Sequence, residues 1–139
     1  MSNLTFNNAI KEAEPSQSIS YYMDCTGGDQ GGGDYETCSI PEDTLFNIQS
    51  FFTETGNMMM TIDQTLGGTQ NIYLRFNQGQ PVLVENGIPI YFTTSDEIFI
   101  ESEYTRAYGG NPLNVAYEIS VSNLDQDLLV TVPMTIQTQ

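Results

Sequence analysis

The sequence predicts an all-β domain, an antiparallel β-sandwich of jelly-roll or immunoglobulin-like type, and three observations support this fold class. Short apolar segments recur with turn residues between them about every 8 to 12 residues, as in sandwiches and barrels. Two segments, 114–123 and 127–137, alternate apolar and polar residues along their length. No stretch of ten or more residues has the periodicity of an amphipathic helix.

The N-terminal stretch is predicted to be an arm. Residues 1–18 are polar, and Pro15 would end any short helix there, so one sandwich domain is expected at 19–139. The arm lacks a basic region followed by an apolar stretch and a cleavage site, so we expect no signal peptide. No run approaches the roughly 20 apolar residues of a bilayer span, so no transmembrane segment is expected.

The strands before residue 100 are predicted from shorter signals. The first is ISYYM at 19–23, and the glycine-rich segment after it is expected to hold no regular element. Further strands are expected at 45–53, 57–65 and 96–102, with a three-stranded meander at 70–93. Asn86-Gly87 is a pair typical of a two-residue type I′ turn, which would set Glu85 opposite Ile88 and Leu83 opposite Ile90.

The last two predicted strands carry the clearest pattern. Their large apolar residues occupy alternate positions, which places them on one buried face: Val115, Tyr117, Ile119, Val121, Leu128, Val130, Val132, Met134 and Ile136. The connection at 124–126 is short enough to make them a hairpin. Pro133 points outward and removes a backbone donor, so it is expected at an edge or a bulge.

The two cysteines, Cys25 and Cys38, leave two main alternatives. A disulfide between them would close a flexible glycine-rich loop and stabilise the fold by about 3 kcal/mol. Two reduced thiols are expected instead if the chain folds in a cytosol. A zinc site is disfavoured, because the chain has no His and no further Cys to complete a tetrahedral shell.

The same glycine-rich loop is a weak candidate for calcium binding. Its carboxylates are Asp24, Asp29, Asp34 and Glu36, and a flexible loop lets several oxygens converge on one hard cation. Their spacing does not match known calcium loops, however, so a solvated acidic loop is the alternative that the pattern favours. No other cofactor is expected.

A possible interface is indicated by Met58, Met59 and Met60. Consecutive strand residues point to opposite faces, so at least one of the three faces away from the core. With Phe51 and Phe52 nearby in sequence, an outward Met would form an adaptable contact surface. The alternative is a strand buried on both faces.

The charge balance argues against several kinds of partner. The chain has 18 Asp and Glu, three Lys and Arg and no His, which gives a formal net charge of -15. Such a surface repels phosphate backbones and anionic lipids, so neither nucleic acid nor membrane insertion is expected. A solubilising role for the charge is the simplest interpretation.

Catalysis is not expected. Without His, the chain lacks Ser-His and Cys-His nucleophile activation, and it has no phosphate-binding or nucleophile-elbow motif. Acidic pairs such as Asp96 with Glu97, or Glu101 with Glu103, are more typical of surface charge than of a catalytic pair.

Three functional classes remain. The first is a non-catalytic structural or accessory subunit of a larger assembly, such as a virus or phage capsid decoration or fibre protein, which binds protein partners including itself and lies at a virion or particle surface. The second is a carbohydrate-binding or adhesion module that stacks glycans on exposed tyrosines, for which the candidates are Tyr21, Tyr73, Tyr104 and Tyr108. The third is a small secreted or surface domain stapled by a Cys25–Cys38 disulfide.

Overall fold

The computed structural model describes residues 18–27, 34–68 and 70–139. These residues form two five-stranded sheets packed on each other, which confirms the predicted β-sandwich. The expected arm lies outside the described residues except for Ser18, which is exposed and outside any strand. No helix in the described ranges is long and apolar enough to cross a membrane.

The described chain forms ten strands and one turn of 3-10 helix. In chain order the strands are β1 (Ile19–Tyr22), β2 (Asp24–Gly27), β3 (Tyr35–Ser39), β4 (Asn57–Leu66), β5 (Ile72–Phe76), β6 (Val82–Leu83), β7 (Ile90–Thr93), β8 (Ile98–Ala107), β9 (Asn114–Asn123) and β10 (Leu128–Gln137). The 3-10 turn, Ile48–Phe51, lies between β3 and β4.

The chain changes sheets at both sides of the sandwich. The first sheet has the order β1-β10-β9-β4-β7 and the second has the order β2-β3-β8-β5-β6. Met23 joins the edge strands β1 and β2, and residues 84–89 join the edge strands β6 and β7. β1 runs parallel to β10, whereas the other paired strands are antiparallel.

The core lies between the sheets and is built from alternate residues of the long strands. Ile62, Ile119 and Val132 in β4, β9 and β10 are at most 1% exposed. Full burial of such a side chain contributes roughly 1.5–3 kcal/mol. β9 and β10 form the predicted hairpin, with Val121 opposite Val130 and Tyr117 opposite Met134, so their alternation was a correct guide to the buried face.

Two predictions for the first half of the chain are wrong. Residues 45–53 do not form a strand: Leu45 makes one isolated bridge to Phe99, and the 3-10 turn follows. This turn lets Phe46 and Ile48 both reach the core, where each is at most 1% exposed. The glycine-rich segment also holds two strands, β2 and β3, because their backbone groups pair with each other and with β8.

The predicted meander at 70–93 is also wrong in its second half. β6 pairs with β5 in the second sheet, whereas β7 pairs with β4 in the first. A turn does form at 85–88, since the Ile88 amide donates to the Glu85 carbonyl at 3.1 Å. Only Gly87 of its central pair has a positive φ, +76°, so the turn is not type I′ and the strands diverge.

Candidate functional site

The cysteines are joined in a disulfide across β2 and β3. Cys25 lies directly opposite Cys38, with a Cα–Cα distance of 3.9 Å. Cys38 is fully buried and faces the core, while Cys25 is half-buried. The cross-link therefore fixes β2, the edge strand of the second sheet, to its inner neighbour.

The acidic residues of this region are directed to different surroundings. Asp24 is exposed in β2, Asp34 precedes β3, and Glu36 is only 8% exposed. Asp29 lies outside the described residues. Within the described ranges, no three Asp, Glu, Cys or His side chains come together to hold a metal ion.

Glu36 is instead the partner of an arginine, Arg106, whose side chain is largely buried. The Arg106 guanidinium donates from Nε to Glu36 Oε2 at 2.9 Å, and both side chains are about 10% exposed (11% and 9%). Its Nη1 also donates to the carbonyls of Asn111 and Gln139 and to Thr138 Oγ1, at 3.1 to 3.3 Å. Arg106 thus ties β8 to β3 and to the chain beyond β10. Sequence reasoning missed this residue, because nothing in the pattern distinguishes it from a surface arginine.

The second arginine is engaged on the outer face of the second sheet. Arg75 Nη2 lies 3.0 Å from Asp43, Nε lies 3.3 Å from Glu101, and the guanidinium stacks 4.5 Å from the Phe99 ring centre. Lys11, the third basic residue of the chain, lies outside the described residues. Both basic side chains that the structure describes are therefore neutralised by carboxylates of the same chain.

Two of the four carboxylates considered for acid-base work, Asp96 and Glu101, have structural contacts. The Thr93 amide, 2.8 Å away, and the Asn77 side chain donate to Asp96, and these hydrogen bonds lower the pKa of its carboxyl. Glu101 is paired with Arg75. Asp96 thus closes the turn before β8 as an ionised acceptor.

The three methionines alternate across β4. Met58 and Met60 are fully buried in the core. Met59 is half-buried on the outer face of the first sheet, where it lies between Tyr91 of β7 and Ser122 of β9. Phe51 and Phe52 are half-buried against the core. The structure thus brings one predicted interface residue, Met59, to a solvent-facing surface, next to a tyrosine that was not predicted.

A larger apolar surface lies on the edge formed by β6 and β7. We name residues 81–91 the apolar strip. Its exposed large side chains, with their exposed fractions, are Val82 (48%), Leu83 (40%), Ile88 (53%) and Tyr91 (65%). Leu83 is paired with Tyr73 on the outer face of the second sheet, whereas Tyr91 is paired with Met59 on the first. The strip therefore wraps around one edge of the sandwich.

A second feature is an open backbone edge on β10. β1 pairs only with Met134–Gln137, so no described strand pairs with the first half of β10 on the side away from β9. The Gln137 carbonyl accepts a hydrogen bond from the Met23 amide, so the backbone polar groups of Gln137 face β1. Because backbone polar groups alternate sides along a strand, those of Leu129, Thr131 and Pro133 face the same side. Pro133 therefore removes no bond to β9. We name residues 128–133 the open edge.

A cavity of about 450 Å³ lies on the outer face of the second sheet. Tyr73, which is 37% exposed, lines it together with Ser39, Glu42, Glu101 and Glu103. Of the other tyrosines considered for glycan stacking, Tyr108 is 45% exposed and Tyr104 is half-buried.

The prediction for Tyr21 as an exposed stacking face is wrong. Tyr21 is 9% exposed, because it occupies an inward position of β1, and its hydroxyl donates to the Leu45 carbonyl at 3.1 Å.

No family model and no curated protein matches the chain. Among solved structures it resembles the N-terminal domain of PorA (14% identity, TM-score 0.39), with 87% of this chain and 89% of that chain covered. It also resembles the CooA pilin subunit from enterotoxigenic Escherichia coli (8% identity, TM-score 0.38, 88% and 90% covered). A third is ACE19, the collagen-binding subdomain of the Enterococcus faecalis surface protein ACE (10% identity, TM-score 0.33, 84% and 95% covered). Because these identities and TM-scores are low, the likenesses do not bear on what the chain does.

Proposed function

We propose that this chain is a non-catalytic structural or accessory subunit of a larger protein assembly. The observation that carries the proposal is the open edge, where the amides and carbonyls of Leu129 and Thr131 face away from β9 without a described strand partner. An unpaired edge is a template for adding a strand of another polypeptide, with backbone hydrogen bonds supplying the affinity. Residues 1–18 would act as an arm that adds contacts to a neighbour.

Decoration of a virus or phage capsid, or a place in a fibre, is the finer form of this proposal. The acidic surface would face a basic or neutral lattice, and the Cys25–Cys38 disulfide supports a location outside a reducing cytosol, such as a particle surface. A fibre subunit would polymerise head to tail, whereas a decoration subunit would form a closed oligomer or bind only to its particle.

The test replaces Thr131, whose amide faces the open edge. Thr131→Pro removes one of the two amide donors that an added strand would use and leaves the bonds to β9 intact, as Pro133 does. Thr131→Val, which keeps the amide, is the matched control. We expect light scattering to show assembled wild-type and Thr131→Val protein and a smaller mass for Thr131→Pro, at similar melting temperatures. Equal masses for all three proteins would contradict strand addition between copies of the chain at this edge.

A second candidate function, glycan binding, is favoured by Tyr73 at the rim of the cavity. An exposed ring stacks on a sugar face, and the neighbouring Glu42 and Glu103 carboxylates accept hydrogen bonds from hydroxyl groups. If this function holds, Tyr73→Ala abolishes any shift in melting temperature caused by a glycan, while Tyr108→Ala, outside the cavity lining, retains it. An unshifted melting temperature for the wild-type protein across a glycan panel would count against it.

A further inference from the structure

We infer that the apolar strip, residues 81–91, is a two-fold interface between two copies of this chain. The inference rests on the proposed assembly role and names one of its partners. It uses a different surface from the open edge, at the opposite side of the first sheet, since β7 and β1 are that sheet's two outermost strands.

The exposed side chains of the strip are those of a binding surface. Val82 and Ile88 lie at the edge of the sandwich itself, about half exposed, and the strip continues onto one sheet through Leu83 and onto the other through Tyr91. Four large apolar side chains exposed within eleven residues of one edge indicate an interaction site, whereas single exposed apolar residues do not.

The strip is held in place by the fold. The Val84 amide donates to the Ile72 carbonyl at 2.9 Å, and the Ile88 amide closes the turn onto Glu85. The Asn86 side chain accepts the Gln64 amide at 3.1 Å, which pins the turn to β4. Binding to a preformed surface loses little conformational entropy, so its apolar contacts are available for affinity.

Charge selects the partner. Between Phe76 and Ser95 the only ionisable side chain that is charged at neutral pH is Glu85, although the whole chain has a net charge of -15. A basic partner would be attracted to the acidic faces elsewhere on the molecule. The strip is instead suited to a partner that is itself acidic, because two acidic molecules approach each other most favourably where their surfaces carry the least charge. Besides Glu85, the carboxylate that borders the strip is that of Asp63 in β4, whose Oδ1 lies 4.0 Å from the Cβ position of Gly87. A second copy is such a partner.

The two prolines of the strip determine the kind of contact. Pro81 and Pro89 remove backbone donors beside β6 and β7, which blocks continuous pairing of these edges with another sheet. Contact between copies is therefore made by side chains. A two-fold arrangement joins the same patch on both copies and closes at a dimer.

The size of the strip sets the expected affinity. Interfaces of standard size use about 20 to 30 residues a side, and the strip has eleven. We therefore expect a dissociable dimer, with a Kd on the order of micromolar.

The experiment is sedimentation velocity on the full chain from 1 to 200 µM, on the order of the expected Kd, in moderate salt. Ile88→Glu places a charge at the centre of the strip, and Leu124→Glu makes the same change at an equally exposed site, 52% against 53%, in the β9–β10 turn. We expect Ile88→Glu to raise the dimer Kd at least tenfold and Leu124→Glu to leave it unchanged. A wild-type protein that is monomeric throughout, or an equal effect of both variants, would overturn the inference.

Glu85→Gln is expected to strengthen dimerisation, an effect that misfolding of the variant would not produce. It removes the one charged side chain within the strip on each copy, so we expect a tighter dimer, with Kd lowered several-fold at low salt and less at high salt. Weakened or unchanged association would contradict the two-fold contact. Thr131→Pro, which tests the open edge, should leave this dimer intact, so failure of the strip interface and failure of strand addition give different results.

Discussion

At the scale of single residues, Arg106 makes the largest number of polar contacts that the structure describes for one side chain. It binds Glu36 and spans to the carbonyls of Asn111 and Gln139, so one guanidinium joins three separate segments. Removing one member of a buried ion pair leaves the other charge without compensation, which costs far more than the pair itself contributes.

Arg106→Ala should therefore lower the free energy of unfolding by about 3–5 kcal/mol, measured by urea denaturation at neutral pH. Arg75→Ala is the control, because its partner Asp43 is 70% exposed and Glu101 is 43% exposed. We expect a loss of about 1 kcal/mol there, from the exposed pairs and the packing on Phe99. Similar losses for both variants would show that Arg106 acts as an ordinary surface residue.

Two buried tyrosines form a natural pair for a pH experiment. Tyr21 is hydrogen-bonded to Leu45, whereas the Tyr117 hydroxyl is buried without a hydrogen-bond partner among the described residues. Burial raises the pKa of each to about 12. The unfolded chain ionises near pH 10, so the contribution of each tyrosine to stability is complete below pH 10 and is lost as the pH rises towards 12.

At pH 7, Tyr117→Phe should stabilise the fold by about 1 kcal/mol, because it removes an unpaired buried hydroxyl, while Tyr21→Phe should destabilise it by a similar amount through the lost hydrogen bond. Between pH 10 and 12, the free energy of unfolding of each variant should fall by roughly 1–3 kcal/mol less than that of the wild type, since phenylalanine does not titrate. Chemical denaturation at the three pH values measures this. The same sign for both variants at pH 7 would contradict the assignment.

At the scale of strands, the sequence correctly predicts the position and the buried face of a strand wherever one face is buried and the other is exposed to solvent. β9 and β10 follow this rule, because a one-residue slip would expose Ile119 or Val132. β2 and β3 could not be predicted in this way, because their residues do not alternate between apolar and polar. Their extended conformation depends on pairing with each other and, for β3, with β8. The 3-10 turn at Ile48 could not be predicted from alternation either, since core packing rather than local propensity stabilises this turn.

The candidate surfaces were only partly predictable for the same reason. Val82, Leu83 and Ile88 have the composition of core strands, and no local pattern reveals that the chain changes sheets between them. The signals that indicate an edge are Pro81 and Pro89, which a central strand excludes. Strand alternation predicted that at least one of the three methionines faces outward, but not that it is Met59. Nor did it predict which residues lie beside Met59 on the neighbouring strands.

The cross-link between β2 and β3 gives a prediction for a whole element. A disulfide that closes a loop of this length stabilises the folded state by about 2–4 kcal/mol in the chain-entropy account. Loss of the disulfide should therefore lower the melting temperature of a chain of this size by roughly 10 °C. Calorimetry of the Cys25→Ala/Cys38→Ala variant, and of wild type with reductant, should show the same drop. A melting temperature unchanged in the double variant would mean that the cross-link does not stabilise the fold.

At the scale of the molecule, charge and architecture act together. The chain bridges its two sheets at Met23 and at 84–89, so opposite sides of the sandwich are tied covalently. Around this frame 18 acidic residues oppose three basic ones, and both described arginines are engaged within the chain. The folded state concentrates like charges that the unfolded chain spreads apart, so the net charge destabilises the compact form.

This repulsion predicts how salt affects the fold. The Debye length falls from about 30 Å at 0.01 M to about 10 Å at 0.1 M, which screens charges across a domain of this size while leaving the buried Arg106–Glu36 pair almost unaffected. The melting temperature should therefore rise by several degrees over this range of sodium chloride. The Arg75→Ala variant should show a larger rise, because its net charge is more negative by one. A melting temperature that falls with salt would mean that attractive surface pairs, rather than net repulsion, dominate the electrostatics.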